Sequence, residues 1–251
     1  MRSEKFEQKK HARYWWFHQI QTSYVPPIFS FLSDKEWRIM EEWYGETDEL
    51  NWTSECNVTM ISFLQGIIMG SSIRNIVQLG THAGFSTLLL GFMMKKMSFA
   101  NSFVTIDNDP ALCSVAQHWV NKSELNNYVK ILKSDSTHID LPKNIRQEFD
   151  NEPINLLFIN CSSQYRKTLE ELDFWYEHIA DRGFIIIHNA NNVATKYDTT
   201  NEGGINRALY EWSLKTGRKY FVINDSLDQG SNYHPLDLVY RDLGGFAIIQ
   251  K

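Results

Sequence analysis

The chain has 251 residues, a length that suits one α/β domain or one domain with an appendage and that argues against a multi-domain protein. Hydrophobic residues make up 43% of it and charged residues 22%, so apolar side chains suffice for a core and the chain is not of the disordered class. Its formal charge of −5 argues against bulk electrostatic binding to nucleic acid or to an acidic membrane surface.

The cysteines and the apolar runs bear on the cellular compartment. Cys56, Cys113 and Cys161 are far apart in sequence and form no CxxC pair, so they indicate neither a disulfide framework nor a zinc cluster. The longest apolar run, at residues 88–94, is much shorter than a membrane span, and the first residues have no signal-peptide pattern. We therefore expect a cytoplasmic protein without a membrane anchor.

Residues 1–70 are predicted to form an N-terminal helical cap. Residues 33–36 have the form of a capping box, which opens one helix, and a second helix is expected at 58–69. Five of the eight tryptophans lie in this segment: Trp15, Trp16, Trp37, Trp43 and Trp52. We expect their rings to pack in a core, and the sequence leaves open a role in lining a ligand pocket or in joining a homo-oligomer.

Residues 71–251 are predicted to form the main domain, since short apolar strands alternate there with amphipathic helices. The strands are predicted at 76–79, 103–107, 129–132, 154–159, 184–187, 220–223 and 246–249, and the helices at 86–97, 110–120, 165–179 and 205–214. Because parallel strands need crossover connections, this order indicates an α/β fold with a doubly wound sheet and helices on both faces.

Doubly wound sheets bind ligands beyond the carboxyl ends of their strands. There the sequence places a loop with Gly80 and Gly84 after the first strand, and Asp107 at the end of the second. Glycines permit a tight turn and close backbone approach to a ligand, and an ionised carboxylate accepts strongly from ribose hydroxyls. The GxxxG spacing differs from the GxGxxG of dinucleotide-binding proteins, which disfavours a dehydrogenase.

Three segments, residues 76–87, 105–107 and 132–136, resemble successive motifs of the class I S-adenosylmethionine-dependent methyltransferases. Within them Ser86 is similar to the serine of the catechol-type small-molecule O-methyltransferases. Residues 156–160 and 182–189 resemble the branch that includes cephalosporin-hydroxylase-like and macrocin-type enzymes. The resemblance implies a Rossmann-like sheet of seven strands, mostly parallel with an antiparallel last strand, and S-adenosyl-L-methionine as the cofactor.

The resemblance also implies which residues contact the cofactor. The expected contacts are Gly80, Thr81, Gly84 and Ser86 at its methionine part, Asp107 at its ribose, and Asp135 with Ser136 at its adenine edge. Gln78 and Asn160 complete the expected site. Gln78 stands where the family usually has an acidic residue. Its hydrogen bond to the cofactor's ammonium group or to a neighbouring backbone amide therefore lacks charge assistance.

The resemblance bears on a metal as well. The catechol-type enzymes hold Mg²⁺ with carboxylates at the positions of Asn160 and Asn189, which are amides here. An amide brings no charge to a cation that is held mainly by carboxylates, so we expect no metal site. In the alternative of a magnesium-assisted enzyme, Asp198 or Glu202 would supply the missing carboxylate.

His188 ends the predicted fifth strand and is the candidate general base, because imidazole titrates near neutral pH. A structural, hydrogen-bonded role is the alternative. Cys161 is not expected to act as a nucleophile because no His/Asp triad spacing accompanies it, and Ser162 or Ser163 is expected to cap the next helix.

The sequence thus predicts methyl transfer from S-adenosylmethionine to a hydroxyl or amine of a small molecule, without a metal. The alternatives are a magnesium-assisted O-methyltransferase and a non-catalytic binding protein of methyltransferase descent.

Overall fold

A computed structural model describes residues 12–14, 16, 24–53, 55–228, 232–234 and 237–251. Trp15, which was assigned to the cap, lies outside these residues. In the described part of the chain three helices precede the sheet: α1 (Pro27–Ser30), α2 (Asp34–Glu49) and α3 (Val58–Ser71). The predicted capping box opens α2, since the Ser33 side chain accepts from the Glu36 N–H and the Glu36 side chain accepts from the Ser33 N–H.

The main domain alternates strands and helices as predicted. Its elements are β1 (Ile76–Leu79), α4 (Phe85–Lys96), β2 (Phe103–Asp107), α5 (Pro110–Lys122), β3 (Val129–Lys133), α6 (Leu141–Glu148), β4 (Ile154–Ile159), α7 (Tyr165–Trp175), β5 (Ile179–His188), α8 (Gly204–Thr216), β6 (Phe221–Ile223) and β7 (Phe246–Gln250). Among the described residues, seven strands form one sheet in the order β3-β2-β1-β4-β5-β7-β6, with β7 antiparallel to both neighbours. The predicted Rossmann-like fold is confirmed.

The largest differences from the sequence prediction concern α7, β5 and α6. The helix predicted to reach residue 179 ends at Trp175, and Ile179 instead begins β5, where it pairs with Ile154. The prediction was wrong because a buried isoleucine fits the apolar period of a helix and of a strand equally well. Helix α6 was not predicted, since it has eight residues and its apolar pattern reduces to Leu141 and Ile145, one turn apart.

Different helices cover the two faces of the sheet. One apolar cluster joins Trp43 of α2 and Met60 of α3 to Leu88 of α4 and to sheet residues such as Phe158. The cluster on the other face draws on α6, α7 and α8, with Trp212 of α8 among its members. The N-terminal helices therefore share a core with the sheet, and a domain boundary at residue 70 stays a prediction.

Trp43 connects the N-terminal helices to the loop between β1 and α4. Its Nε1 donates to the Ala83 carbonyl at 2.7 Å, and its ring lies 5.3 Å from that of Phe85. Both Trp43 and Ala83 are fully buried. The conformation of this loop is therefore stabilised from the side of α2.

We predict that Trp43→Phe lowers the free energy of unfolding by about 1–3 kcal/mol more than Trp119→Phe does. The first substitution leaves the Ala83 carbonyl buried without its donor. Trp119 is equally buried, but its indole N–H has no hydrogen-bond partner within the described part of the chain, so its replacement leaves no buried acceptor without a donor. Urea denaturation of both variants measures the difference, and equal losses would contradict the assigned hydrogen bond.

Candidate functional site

Three adjoining cavities lie along the carboxyl ends of the parallel strands. The first has a volume of about 130 Å³, the second about 290 Å³ and the third about 490 Å³. Gly80 and Asp107 line both the first and the second cavity, and Asn160 lines both the second and the third. Together they form a cleft at the position where doubly wound sheets bind ligands.

The glycine loop between β1 and α4 forms one wall of the second cavity. Gly80 and Gly84 have φ angles of +91° and +93°, and a Cβ on Gly80 would lie 2.7 Å from the Asn160 carbonyl carbon. A side chain is therefore excluded where the loop passes the end of β4. The predicted approach of this backbone to a ligand stays a prediction.

Asp107 holds this loop from the end of β2. Its Oδ2 accepts from the backbone N–H groups of Thr81 and His82, each at 2.9 Å, and its Oδ1 accepts from that of Asp109 at 3.0 Å. The carboxylate lines both the first and the second cavity. The contact of Asp107 with a ribose stays a prediction, and its support of the loop is a role that the sequence does not indicate.

Three further predicted cofactor residues lie around the same loop. Ser86 is buried and lines the second cavity, and the hydroxyl groups of Thr81 and Thr105 are hydrogen-bonded at 2.7 Å. Gln78 is fully buried beneath the loop, where its Nε2 donates to the Gly80 carbonyl at 2.6 Å. The structure thus gives Gln78 a bond within the loop, and its contact with a cofactor stays a prediction.

His82 stands in the glycine loop at a φ of +47°, in the left-handed region. It lines the second cavity, and burial lowers the pKa of its imidazole despite the opposing effect of Asp107. The neutral imidazole is thereby favoured at the edge of the cleft.

The first cavity is lined by residues from the end of β3 and from α7. Asp135 Oδ1 accepts from the Thr137 N–H at 2.9 Å and from Lys167 Nζ at 3.0 Å, and these bonds lower its pKa to about 2. The Ser136 hydroxyl donates to Glu171 Oε1 at 2.6 Å. Asp135 and Ser136 both line this cavity, and their contact with the adenine edge of a cofactor stays a prediction.

Glu171 lines the first cavity but was not singled out from the sequence. It is fully buried, and this burial raises the pKa of its carboxyl despite hydrogen bonds from Ser136 and Cys161. The helical spacing could have indicated its burial, since Thr168, Leu172 and Trp175 are buried on the same helix. A glutamate among such neighbours faces the interior rather than solvent.

His188 and Asp242 form a buried pair on the wall of the third cavity. His188 Nε2 lies 3.0 Å from Asp242 Oδ2, and Nδ1 lies 2.9 Å from Asn160 Oδ1. The other Asp242 oxygen accepts from the Gly244 N–H at 3.1 Å. The predicted base is thus held by hydrogen bonds on both ring nitrogens, and sequence reasoning missed Asp242.

The third cavity is completed by residues that precede the sheet. Arg13 forms ion pairs with Glu55 and with Asp48, the latter at 2.6 Å, and its guanidinium lies 5.0 Å from the Tyr44 ring centre. Arg13, Tyr44 and Glu55 all line this cavity. The N-terminal segment therefore contributes both to the core and to a pocket.

The carboxylates named for a magnesium site are engaged elsewhere. Asp198 accepts from the backbone N–H groups of Glu202 and Gly204, and Glu202 forms an ion pair with Arg166 at 2.8 Å. Asn160 and Asn189 both line the third cavity, whereas Asp198 and Glu202 do not. Within the described residues, no group of three or more His, Cys, Asp or Glu side chains could hold a metal ion.

The remaining candidates have local roles. Cys161 Sγ donates to Glu171 Oε1 at 3.2 Å. Ser162 was one of two residues expected to cap α7, but the N-cap residue is Gln164, whose N–H is accepted by the Ser162 hydroxyl at 3.1 Å. In the described residues, no helix has the length and apolar character needed to cross a membrane.

Comparisons with known proteins agree with this geometry. Residues 77–190 match the family model described as a methyltransferase domain. The O-methyltransferase from Bacillus cereus, solved in complex with SAH, is 18% identical with a TM-score of 0.63, over 85% of this chain and 91% of that one. The O-methyltransferase TomG from Streptomyces achromogenes, solved with SAM, is 11% identical with a TM-score of 0.63, over 87% and 90%.

No curated protein sequence matches the chain. The solved structures share its fold, and the matched segment runs from β1 through the end of β5, which contains the glycine loop and the strand-end side chains of the cleft. Residues 77–190 are therefore similar to a methyltransferase domain, and the chain shares the Rossmann-like fold of the solved O-methyltransferases.

Proposed function

We propose that the protein transfers a methyl group from S-adenosylmethionine to a hydroxyl or amine of a small molecule, with His188 as the general base and without a metal. The observation that carries this proposal is the cleft, in which the buried His188–Asp242 pair adjoins the glycine loop and Asp107 through Asn160. The residues that precede the sheet close the third cavity, which is the proposed acceptor pocket.

The residues of the first two cavities fit the cofactor. Gly80, Thr81 and Ser86 line the second cavity, so the loop that Gly84 joins to α4 would contact the methionine part. The free lone pairs of Asp107 accept from ribose hydroxyls, and Asp135 with Ser136 lies at the adenine edge. When bound, the cofactor supplies a sulfonium methyl group as the electrophile.

His188 can remove the proton from the acceptor because Asp242 fixes its orientation. With Nε2–H donating to the Asp242 carboxylate, the lone pair of the neutral ring is on Nδ1. Asn160 can present its amide nitrogen to Nδ1, since the two ends of an amide are interchangeable in shape. The acceptor hydroxyl would replace the Asn160 side chain at Nδ1 and donate a hydrogen bond there. Its proton would pass to Nδ1 while its oxygen forms the new bond to the methyl carbon and the carbon–sulfur bond breaks.

The state of the cysteines bears on the cellular compartment. The three cysteines are free thiols in the structure, which supports a reducing compartment and the proposed cytoplasmic location.

Formation of S-adenosylhomocysteine in EDTA tests the proposed function. The acceptors would be a panel of catechols, phenols and primary and secondary amines, each assayed in EDTA and again with added Mg²⁺. We expect turnover of at least one acceptor in EDTA. Turnover that appears only with Mg²⁺ would favour the magnesium-assisted enzyme, and cofactor binding without turnover of any acceptor would favour the non-catalytic protein.

A further inference from the structure

Strand β6 forms one edge of the sheet. Within the described residues it pairs with β7 on one side, and no strand pairs with its other side. The outer side of an edge strand presents backbone N–H and C=O groups that can pair with another chain. The hydrogen bonds of the neighbouring strands show which residues of β6 present them.

The bonds at the two ends of β7 fix its orientation. The Asn189 N–H donates to the Gly245 carbonyl just before β7, and the Lys251 N–H just after β7 donates to the Gly183 carbonyl. In antiparallel pairing, alternate residues of a strand direct their N–H and C=O groups to opposite neighbours. The odd-numbered residues of β7 therefore face β5, and the even-numbered residues face β6.

Val222 is the residue of β6 whose backbone groups point outward. The even-numbered residues Phe246 and Ile248 of β7 pair with Ile223 and Phe221, which therefore direct their backbone groups to β7. Val222 lies between these two, so its N–H and C=O point away from β7. Among the described residues, no further backbone group bonds to them.

Large apolar side chains are exposed along the same edge. Phe221 is 63% exposed, and Tyr210 and Leu214, one turn apart on α8, are 56% and 68% exposed. Tyr210 lies near Tyr220, just before β6, since the pKa of the Tyr220 hydroxyl is raised by burial, by Asp225 and by Tyr210. The edge thus combines available backbone groups with apolar surface, a combination typical of an interaction site.

The sequence around Val222 is complementary to itself. When two copies of β6 pair antiparallel about a two-fold axis at Val222, the two Val222 residues bond to each other and each Phe221 lies opposite the Ile223 of its partner. In the same register Lys219 of one protomer is opposite Asp225 of the other, and both side chains are exposed. Apolar pairs and opposite charges across strands stabilise such a pairing.

We propose that the protein forms a homodimer in which the β6 strands of two protomers pair antiparallel about Val222 and join the two sheets into one. The partner is a second copy of this chain, because the charges and the apolar side chains of this edge are complementary to themselves. A two-fold pairing uses the edge once in each protomer, so it closes as a dimer. The proposal is independent of the proposed function, since none of the residues 219–225 lines a cavity of the cleft.

Sedimentation velocity of the full chain across the micromolar range tests the dimer. We expect wild type to sediment with twice the mass of the chain. Phe221→Asp should raise the dissociation constant of the dimer about 30–100-fold, as for an aromatic residue at the centre of an interface. Val222→Pro should raise it about 10-fold or more, because proline removes the outward N–H and is tolerated on an edge strand. Ile139→Asp is the matched control, since Ile139 is 78% exposed between β3 and α6, and it should leave the dimer unchanged.

The charged pair tests the register of the two strands. Lys219→Glu or Asp225→Lys places like charges at both ends of the paired strands and should raise the dissociation constant about 3–10-fold. The variant that combines both substitutions restores opposite charges with the signs exchanged. It should return to within about twofold of wild type, because the two sites are coupled only through the dimer.

Each outcome supports or overturns the proposal. A wild-type protein that stays monomeric throughout the micromolar range would overturn it, whatever the stability of the variants. A dimer that persists in Phe221→Asp and in Val222→Pro would place the interface on another surface. Charge substitutions without effect, or without recovery in the combined variant, would contradict pairing about Val222. None of these measurements needs a cofactor or an acceptor, so a failure of the dimer is distinct from a failure of the proposed function.

Discussion

Replacing His188 by Gln is expected to lower kcat for methyl transfer by about 10²–10⁴-fold, the usual contribution of a general base. Glutamine fills a similar volume and can bond to Asn160 and Asp242, but it has no basic nitrogen to take the acceptor's proton. The dissociation constant of S-adenosylhomocysteine should stay within about twofold of wild type, because a base contributes to the chemical step rather than to cofactor binding. Steady-state kinetics with the fastest acceptor of the panel, together with calorimetry, measures both.

Two further variants separate a base from a structural histidine. Asp242→Asn keeps the shape of the pair but removes the carboxylate that orients Nε2–H, so kcat should fall while S-adenosylhomocysteine affinity is kept. His138→Gln makes the same exchange at an exposed loop position and should leave kcat unchanged. A full kcat in His188→Gln would assign the ring a structural role.

Gly80→Ala is expected to destabilise the fold by about 3 kcal/mol or more. The backbone at Gly80 is left-handed, which costs an L-residue about 1–2 kcal/mol, and the added methyl group would collide with the end of β4 near Asn160. The expanded loop would also displace the N–H groups of Thr81 and His82 from Asp107. Cofactor affinity should therefore fall together with stability.

The control for this prediction is Gly45→Ala in α2. A Cβ at Gly45 meets no atom within 4 Å, and its φ is not in the left-handed region. Alanine should therefore stabilise the helix by about 0.5–1 kcal/mol. Chemical denaturation measures the free energy of unfolding of both variants. Similar changes at the two glycines would contradict the prediction, because they would mean that a methyl group fits at Gly80.

The strands and the position of the cleft could be predicted from the sequence because they depend on local sequence patterns. The apolar strands 76–79 and 154–159 are bounded by turn residues, and the carboxyl ends of parallel strands meet at one edge of a sheet. Asp107, Asn160 and His188 could therefore be placed together before the structure was known. The end of α7 was not accessible, because the choice between helix and strand at Ile179 depends on pairing with Ile154.

Two residues of the site, Asp242 and Glu171, were missed because contacts between distant parts of the chain place them there. Asp242 reaches His188 across 54 positions because antiparallel β7 places its preceding loop beside the end of β5, where His188 pairs with Phe246. Glu171 reads as one of several charged residues of an amphipathic helix, and only the packing of α7 against the end of β3 shows that it faces a cavity. Such pairings depend on tertiary packing, which a single sequence does not encode in a recognisable pattern.

Calorimetric binding of S-adenosylhomocysteine in EDTA, with wild type and Asp107→Ala, tests the proposed cofactor site. We expect micromolar binding by wild type and loss of binding in the variant, because Asp107 is proposed to accept from the ribose and holds the N–H groups of Thr81 and His82. A cooperative thermal transition of the variant would establish that it is folded. Absence of binding by wild type, or undiminished binding by folded Asp107→Ala, would contradict the proposed cofactor site.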